Sequence, residues 1–211
     1  MATKSQGTLL RVSTAAIAAD VITAITKADP GVVTAGTHGI LNGAIVVLDA
    51  IVGMIELNGR AAVAANVAST TLELKGVDTT LYTTYGSGGT VAEQTMTEVG
   101  EVTSIAGFDG EAADIDTTHL RSTAKEFLTG LQDFGGVTLA LWMKNADAGQ
   151  KKLRSLKGAA AVGTFSITLS DGTVAAFRGL VKSFSLSNIT PDGAVSGNVS
   201  IKVTGEPAWF A

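Results

Sequence analysis

The strict alternation of apolar and polar residues in the C-terminal half constrains the fold most. From position 137 to 143, Leu139 and Leu141 alternate with Thr138, Ala140 and Trp142. The last such run passes through Val199, Ile201 and Val203. Successive side chains of a strand point to opposite faces of a sheet, so a period of two predicts strands with one buried face.

Composition agrees with a packed, mostly β protein. Of the 211 residues, 45% are hydrophobic and 16% charged, which excludes a disordered chain. With 25 glycines, 3 prolines and 5% aromatic residues, the chain suits short strands joined by glycine-rich turns.

Turn signals are densest between Asp20 and Gly89, among them Asn42-Gly43 and Asn58-Gly59. Hairpin spacing of this kind predicts a small all-β module. The Gly-Ser-Gly-Gly run at 86–89 is typical of a hinge or linker. Leu9–Ala18 and Thr95–Ile105 are expected to be strands of one sheet, so we divide the chain into 1–19, an inserted domain at 20–89, and 90–211.

One helix is predicted at about 147–157, with Asn145 or Asp147 as its cap and Gly158 as its end. Leu153 and Leu156 would lie on the sheet. The outward face would carry four basic residues: Lys151, Lys152, Arg154 and Lys157.

Residues 107–136 form the longest stretch without strand alternation, and we expect a long loop there. Its apolar side chains need a surface to cover them, and a neighbouring subunit is the obvious candidate. Leu128 is one of these apolar residues, and the candidate contact residues are Phe108, Asp116, Leu120, Phe127, Leu131 and Phe134.

Few catalytic sites are compatible with this sequence. Without cysteine there is no thiolate nucleophile, thiolate metal site or disulfide, and His38 and His119 are the only histidines. Both histidines lie in turn-like sequences, and Gly86–Gly89 lacks the Lys-Ser/Thr of a phosphate loop. Acidic residues at 109, 111, 114 and 116 favour a solvated acidic loop over a calcium site, because their spacing differs from an EF-hand. We predict no enzyme activity, no cofactor and no metal.

Charge is unevenly distributed in this chain of net charge −4. Seven acids and no bases lie between Glu93 and Asp116, whereas five bases and one acid lie between Lys144 and Lys157. These stretches are either two ordinary solvated faces or opposite patches that meet between subunits and set their orientation.

Export and membrane signals are missing from the sequence. No apolar h-region follows the N-terminal bases, and the apolar run Ala44–Leu57 is interrupted by Asp49 and Glu56. We therefore expect a soluble protein made in the cytoplasm.

The order of motifs over residues 90–205 resembles the tail tube proteins of long-tailed bacteriophages. Asp116-Thr117-Thr118 is followed by the turn Gly130-Leu131-Gln132-Asp133-Phe134-Gly135. A short helix, a Phe-x-Ile-x-Leu strand, a hairpin and a closing Val-x-Ile-x-Val-x-Gly strand complete the pattern, and residues 1–18 supply the first strand.

A second resemblance covers Pro30–Gly89. Its motifs, among them Thr37-His38-Gly39, Leu57-Asn58-Gly59-Arg60 and Gly76-Val77-Asp78, are similar to the FCCH domain of ubiquitin-activating enzymes, which also occurs in phage structural proteins. Ubiquitin chemistry does not carry over, since it needs a cysteine and a nucleotide site.

The tail tube resemblance implies a two-sheet β-sandwich with one short helix, assembled as stacked hexameric rings into a hollow tube. It implies a virion protein, assembled in the host cytoplasm, whose partners are itself and the tail tip, tape measure and tail terminator proteins. DNA would pass through the tube without specific binding, and Glu98 or Glu101 would line an acidic lumen. If one regular strand carried both, at most one would face the lumen.

Two further expectations concern the inserted module and the alternative function. The 20–89 module should project outward, because seventy residues per subunit would obstruct a narrow channel, and such an insertion fits a sheathless tail. The alternative is a β-sandwich receptor- or carbohydrate-binding tail-tip or decoration module, for which Trp142 or Trp209 would have to be an exposed platform.

Overall fold

A computed structural model of the chain describes residues 4–210. The protein is mostly β, as the sequence predicts, with a six-stranded barrel, a curled sheet around a second core, one α-helix and a separate two-stranded hairpin. The elements are β1 (Leu9–Ala16), β2 (Asp20–Ile25), β3 (Val32–Ala35), β4 (Ile45–Val52), a 3-10 turn (Ile55–Leu57), β5 (Ala61–Ala65), β6 (Thr71–Lys75), β7 (Ser87–Glu98), β8 (Val102–Gly107), β9 (Ala112–Asp116), β10 (Phe127–Gln132), β11 (Gly136–Trp142), α1 (Ala148–Ala159), β12 (Val162–Thr168), β13 (Val174–Ser187) and β14 (Ser196–Phe210).

The barrel closes on itself in the strand order β2-β3-β6-β5-β4-β7, because β7 also pairs with β2. The alternation of side chains in β4 explains how the interior of the barrel is filled. Val46 and Leu48 point inward and are fully buried, while Asp49 points outward and is exposed. Closure leaves the barrel with no free strand edge of its own.

β7 is a single strand shared by both parts of the molecule. Its first part pairs with β4 as far as Glu93, and residues 94–98 pair with β1. The expected hinge at 86–89 is therefore wrong. Gly88 and Gly89 have positive φ and lie in β7, where a side chain on Gly89 would collide with Ile51.

The expected single strand over Thr95–Ile105 is also wrong. β7 ends at Glu98 and β8 begins at Val102, and Glu101 in the intervening turn has a left-handed φ of 61°. Residues 99–101 separate the two strands, so Glu98 and Glu101 do not share a strand and the parity argument for them does not apply.

The second sheet runs β7-β1-β12-β13-β14-β11-β8 and curls around one core. β13 and β14 are its longest strands, with 14 and 15 residues, and bulges near Arg178 and Lys182 interrupt their pairing. The predicted alternation holds in β11 and β14, whose buried residues include Leu139, Leu141 and Ile201. β12 is buried on both faces, and on its outer face Thr164 and Ser166 line clefts that are also lined by barrel residues.

The helix predicted at about 147–157 is present as α1. Asp147 caps it by accepting a hydrogen bond from the Gln150 amide at 2.8 Å, and Leu153 and Leu156 join the sheet core. Gly158 lies inside the helix, and the left-handed residue that ends it is Ala160.

The barrel packs directly on the second sheet. Ile45 and Val63 on the barrel exterior contact Ala176 of β13, and Ala208 at the end of β14 joins the barrel core. The buried Arg60 guanidinium lies 2.9 Å from the Glu206 carboxylate. The two parts therefore share strands, core residues and an ion pair.

Candidate functional site

The segment expected as a long loop, 107–136, is instead a projecting hairpin. β9 and β10 pair antiparallel, with Leu128 opposite Ile115, and neither pairs with the large sheet. We call residues 109–135 the arm. The sequence does not indicate these strands, because the apolar residues of the hairpin do not alternate with polar ones as they do in a strand with one buried face.

The outer part of the arm exposes apolar side chains. Leu120 and Leu131 are almost fully exposed, the latter at 94%, and Phe127 is about half exposed. Ile115 and Leu128 add to this surface, and Ile115 had not been predicted. A folded subunit does not gain stability from such side chains in water, so this surface has the character of an interface.

The tip of the arm is a turn held by its own polar groups. The Asp116 carboxylate accepts a hydrogen bond from the Thr118 amide at 2.8 Å, and hydrogen bonds from Thr118 lower the pKa of Asp116. The His119 ring contacts the Ser122 hydroxyl at 3.0 Å. These local contacts match the predicted turn and assign no catalytic role to His119.

The base of the arm is fixed to the sheet by two carboxylates. Asp109 accepts a hydrogen bond from the Gly136 amide at 3.0 Å, and this bond lowers the pKa of Asp109. Asp133 accepts from the Gly135 amide at 2.9 Å and from Lys202 Nζ at 2.7 Å. The hydrogen bond from Lys202 is the main cause of the lowered pKa of Asp133.

Two aromatic residues near the base anchor the arm to its own subunit. Phe108 and Phe134 pack against the sheet core, and the Phe108 ring lies 5.2 Å from Phe177 and 5.1 Å from Trp209. Of the apolar contact residues predicted from sequence, Leu120, Phe127 and Leu131 are therefore the ones that the structure presents outward.

The predicted lumen acids have different surroundings. Glu98 is exposed at the end of β7, whereas Glu101 lies 3.1 Å from Lys144 Nζ. The acidic and basic stretches thus meet within one subunit at this point.

The four basic residues of α1 also differ in their surroundings, since two are exposed and two contact other parts of the subunit. Lys151 and Lys157 are exposed. Lys152 donates to the Thr14 carbonyl at 3.2 Å, and Arg154 donates to Asn145 at 2.9 Å and lies over the Phe184 ring.

Two backbone edges are open in the large sheet. Within residues 4–210, β8 pairs with β11 alone, and residues 94–98 of β7 pair with β1 alone. These edges lie at the two ends of the sheet, and unpaired strand edges are templates for pairing with another chain. Sequence alternation alone does not identify them, because it does not tell which strand ends a sheet.

The described part of the chain brings no three His, Cys, Asp or Glu side chains into a metal-binding arrangement. From Lys4 to Phe210, no helix combines the length and the apolar run that a bilayer span requires.

Comparison with known proteins places these features in context. Residues 72–176 match the family model described as phage tail tube, TTP, lambda-like. The chain is 28% identical over 130 residues to "Structural protein 3" of Pseudomonas phage PAJU2, a match covering 51% of this chain and 79% of that protein.

Two solved structures are similar to part of the chain. One is a protein in the tail of an empty GTA particle with C6 symmetry, at a TM-score of 0.46 and 16% identity over 55% of this chain and 87% of that one. The other is in the virion of a native gene transfer agent particle, at 0.46 and 17% over 55% and 89%.

Proposed function

The chain belongs to the lambda-like phage tail tube family, which makes it a structural virion protein and not an enzyme, and from this premise we propose that it polymerises as stacked hexameric rings. The rings form the tail tube, and the tube is the channel for DNA ejection. The observation that carries the proposal is that one sheet has two open edges, on β8 and on residues 94–98 of β7.

Open edges at both ends of a sheet favour a ring. Pairing β8 of one copy with β7 of the next is a heterologous contact, and such contacts close into rings when the rotation between copies divides a full turn. A continuous barrel of this kind leaves no edge exposed to other chains.

The arm supports the stacking of rings. It places exposed leucine and phenylalanine side chains away from the body of the subunit, on a base fixed by Asp109 and Asp133. We assign its outer surface, with Leu120, Phe127 and Leu131, to contacts with a neighbouring copy in the tube.

Glu98 is the better candidate for an acidic lumen. It is exposed on the open-edge part of β7, whereas Lys144 pairs with Glu101. Carboxylates that face the channel would repel DNA phosphates and let the duplex slide, in contrast to a basic groove that binds DNA by releasing counterions.

The barrel is assigned to the outside of the tube as the inserted module, with the rest of the chain as the tail tube domain. The FCCH resemblance and a sheathless tail stay predictions. Tail tip, tape measure and tail terminator proteins are the proposed partners at the ends and inside of the tube.

The alternative of a receptor- or carbohydrate-binding module has less support. Trp209 is 48% exposed, but its ring packs edge-on against Phe108 at 5.1 Å between ring centroids, so part of the ring is not available to stack on a sugar. Trp142 is 42% exposed at the end of β11.

Electron microscopy of the purified chain tests the proposal. We expect rings or tubes with sixfold symmetry, whereas monomers that bind a glycan array would support the alternative. Deleting 112–132, which spares the anchors Phe108 and Phe134, should leave a folded subunit that does not form tubes. Tubes formed by this deletion variant would refute the role of the arm.

A further inference from the structure

A cleft of about 360 Å³ lies between the barrel and the large sheet, at the side of α1. The barrel contributes outward-facing residues of β4 and β7, and the sheet contributes the outer face of β1, β12 and β13. Its charged and polar lining includes Asp49, Thr90, Ser13, Thr164, Lys152 and Arg178.

Arg178 reaches this cleft from the outer face of the sheet. It lies opposite Thr164 in the β12–β13 ladder, and its neighbour Phe177 points the other way into the core. The guanidinium lies against the barrel turn at Gly59, where an added Cβ would be 2.9 Å from Nη1.

The Nε of Arg178 has no hydrogen-bond partner within residues 4–210. This atom is buried, and no carboxylate in this part of the chain forms an ion pair with Arg178. Arg178 is half-buried, and even partial burial of a charge is costly unless the charge is paired. An anion from outside the chain would supply the missing counter-charge.

The charges in the cleft indicate which anion fits. Lys152 and Arg178 contribute two positive charges and Asp49 one negative charge, which leaves a net charge of +1. A singly charged oxyanion neutralises this site, whereas a phosphate dianion would leave an excess negative charge. The planar guanidinium matches the two oxygens of a carboxylate.

We propose that this cleft binds a carboxylate side chain of a second copy of the chain, an inference that rests on the proposed self-assembly. The chain itself supplies the complementary charge, since its net charge is −4 and residues 93–116 carry acids without a base. The contact would form only when two subunits associate. It would determine their relative orientation more than it would stabilise the fold of either subunit.

The variant Arg178→Gln tests the contact against a matched control, Lys182→Gln, an exposed lysine on the same strand. We expect Arg178→Gln to keep or raise the Tm of the isolated subunit, since it removes an unpaired charge. The concentration needed for assembly, measured by sedimentation, should rise at least about tenfold. Lys182→Gln should change neither quantity.

Sodium acetate serves as the probe for the site in the isolated subunit. At constant ionic strength, acetate should raise the Tm of the wild-type chain in a saturable way and leave Arg178→Gln unaffected. Normal assembly of Arg178→Gln would overturn the proposal, even if phosphate were found to bind in the cleft. Failure of the wild-type chain to assemble would instead refute the proposed function. In that case, acetate binding that depends on Arg178 would still show an anion site in the isolated subunit.

Discussion

The side-chain amide of Gln150 donates a hydrogen bond to the carbonyl oxygen of Gly100, at 3.1 Å, and so joins the first turn of α1 to the turn before β8. The same Nε2 donates to the Trp142 carbonyl at 2.9 Å, and Oε1 accepts from the Lys144 amide at 3.0 Å. Gln150 is fully buried. One side chain therefore determines how the helix, β11 and the open-edge strand β8 lie relative to one another.

Replacing Gln150 with alanine should destabilise the subunit by about 2–3 kcal/mol, because buried carbonyl and amide groups would lose their partners. Urea unfolding measures this change. Lys151→Ala, at the next and exposed position of the helix, is the control and should stay within about 0.5 kcal/mol of wild type. Equal effects of both variants would contradict the structural role of Gln150.

Leu131→Ser should abolish tube formation without changing subunit stability. Leu131 is 94% exposed on the arm, so the folded monomer loses no buried contact, whereas the assembled tube loses an apolar one. Leu81, in the barrel region, has the same 94% exposure, and Leu81→Ser is the matched control. Electron microscopy and sedimentation should show tubes for Leu81→Ser and single subunits for Leu131→Ser.

The parts of the fold predicted correctly depend on local patterns. Leu139, Leu141 and Ile201 follow the period of a strand, and Asp147 precedes a helical pattern at the position of a cap. These signals need only a few neighbouring residues, and they hold when the rest of the chain is unknown.

The differences arise where distant contacts decide the structure. Gly88 and Gly89 have the composition of a linker, but pairing with β4 draws them into β7. Phe108 has the appearance of a loop residue, and its packing on Phe177 depends on strands seventy residues further along. The open edges and Arg178 in its cleft are products of sheet order, for which a single sequence contains no short-range signal.

The base of the arm should loosen in acid. The pKa values of Asp109 and Asp133 are lowered in the fold, so their contribution to stability is present above the ordinary aspartate pKa and is lost as pH falls below about 4. Hydrogen exchange of the Gly135 and Gly136 amides should accelerate in that range, relative to amides in β14.

Asp133→Asn tests the cause of this acid response. The variant loses the ion pair with Lys202 at every pH, so amide exchange at the arm base should be faster at neutral pH and depend less on acid. Asp114→Asn, on the exposed face of β9, is the control. An unchanged acid response in Asp133→Asn would rule out its carboxylate as the group responsible.

The ion pair between Arg60 and Glu206 should couple the barrel to the large sheet. Arg60 is 8% exposed, and its guanidinium bonds the Tyr82 hydroxyl and the Glu206 carboxylate. Glu206→Ala leaves a buried cation without its counter-charge, at an expected cost of about 1–3 kcal/mol.

Urea unfolding, followed separately by probes in the barrel and in the sheet, measures this coupling. We expect one lower midpoint for both probes in Glu206→Ala, because the two parts share β7, β14 and the interface around Ala176. Glu111→Ala, an exposed carboxylate in the arm, should leave the midpoint unchanged. If the barrel probe alone shifted, the barrel would be an independently folding unit attached to the sheet, and its packing on β13 and β14 would contribute little to either part.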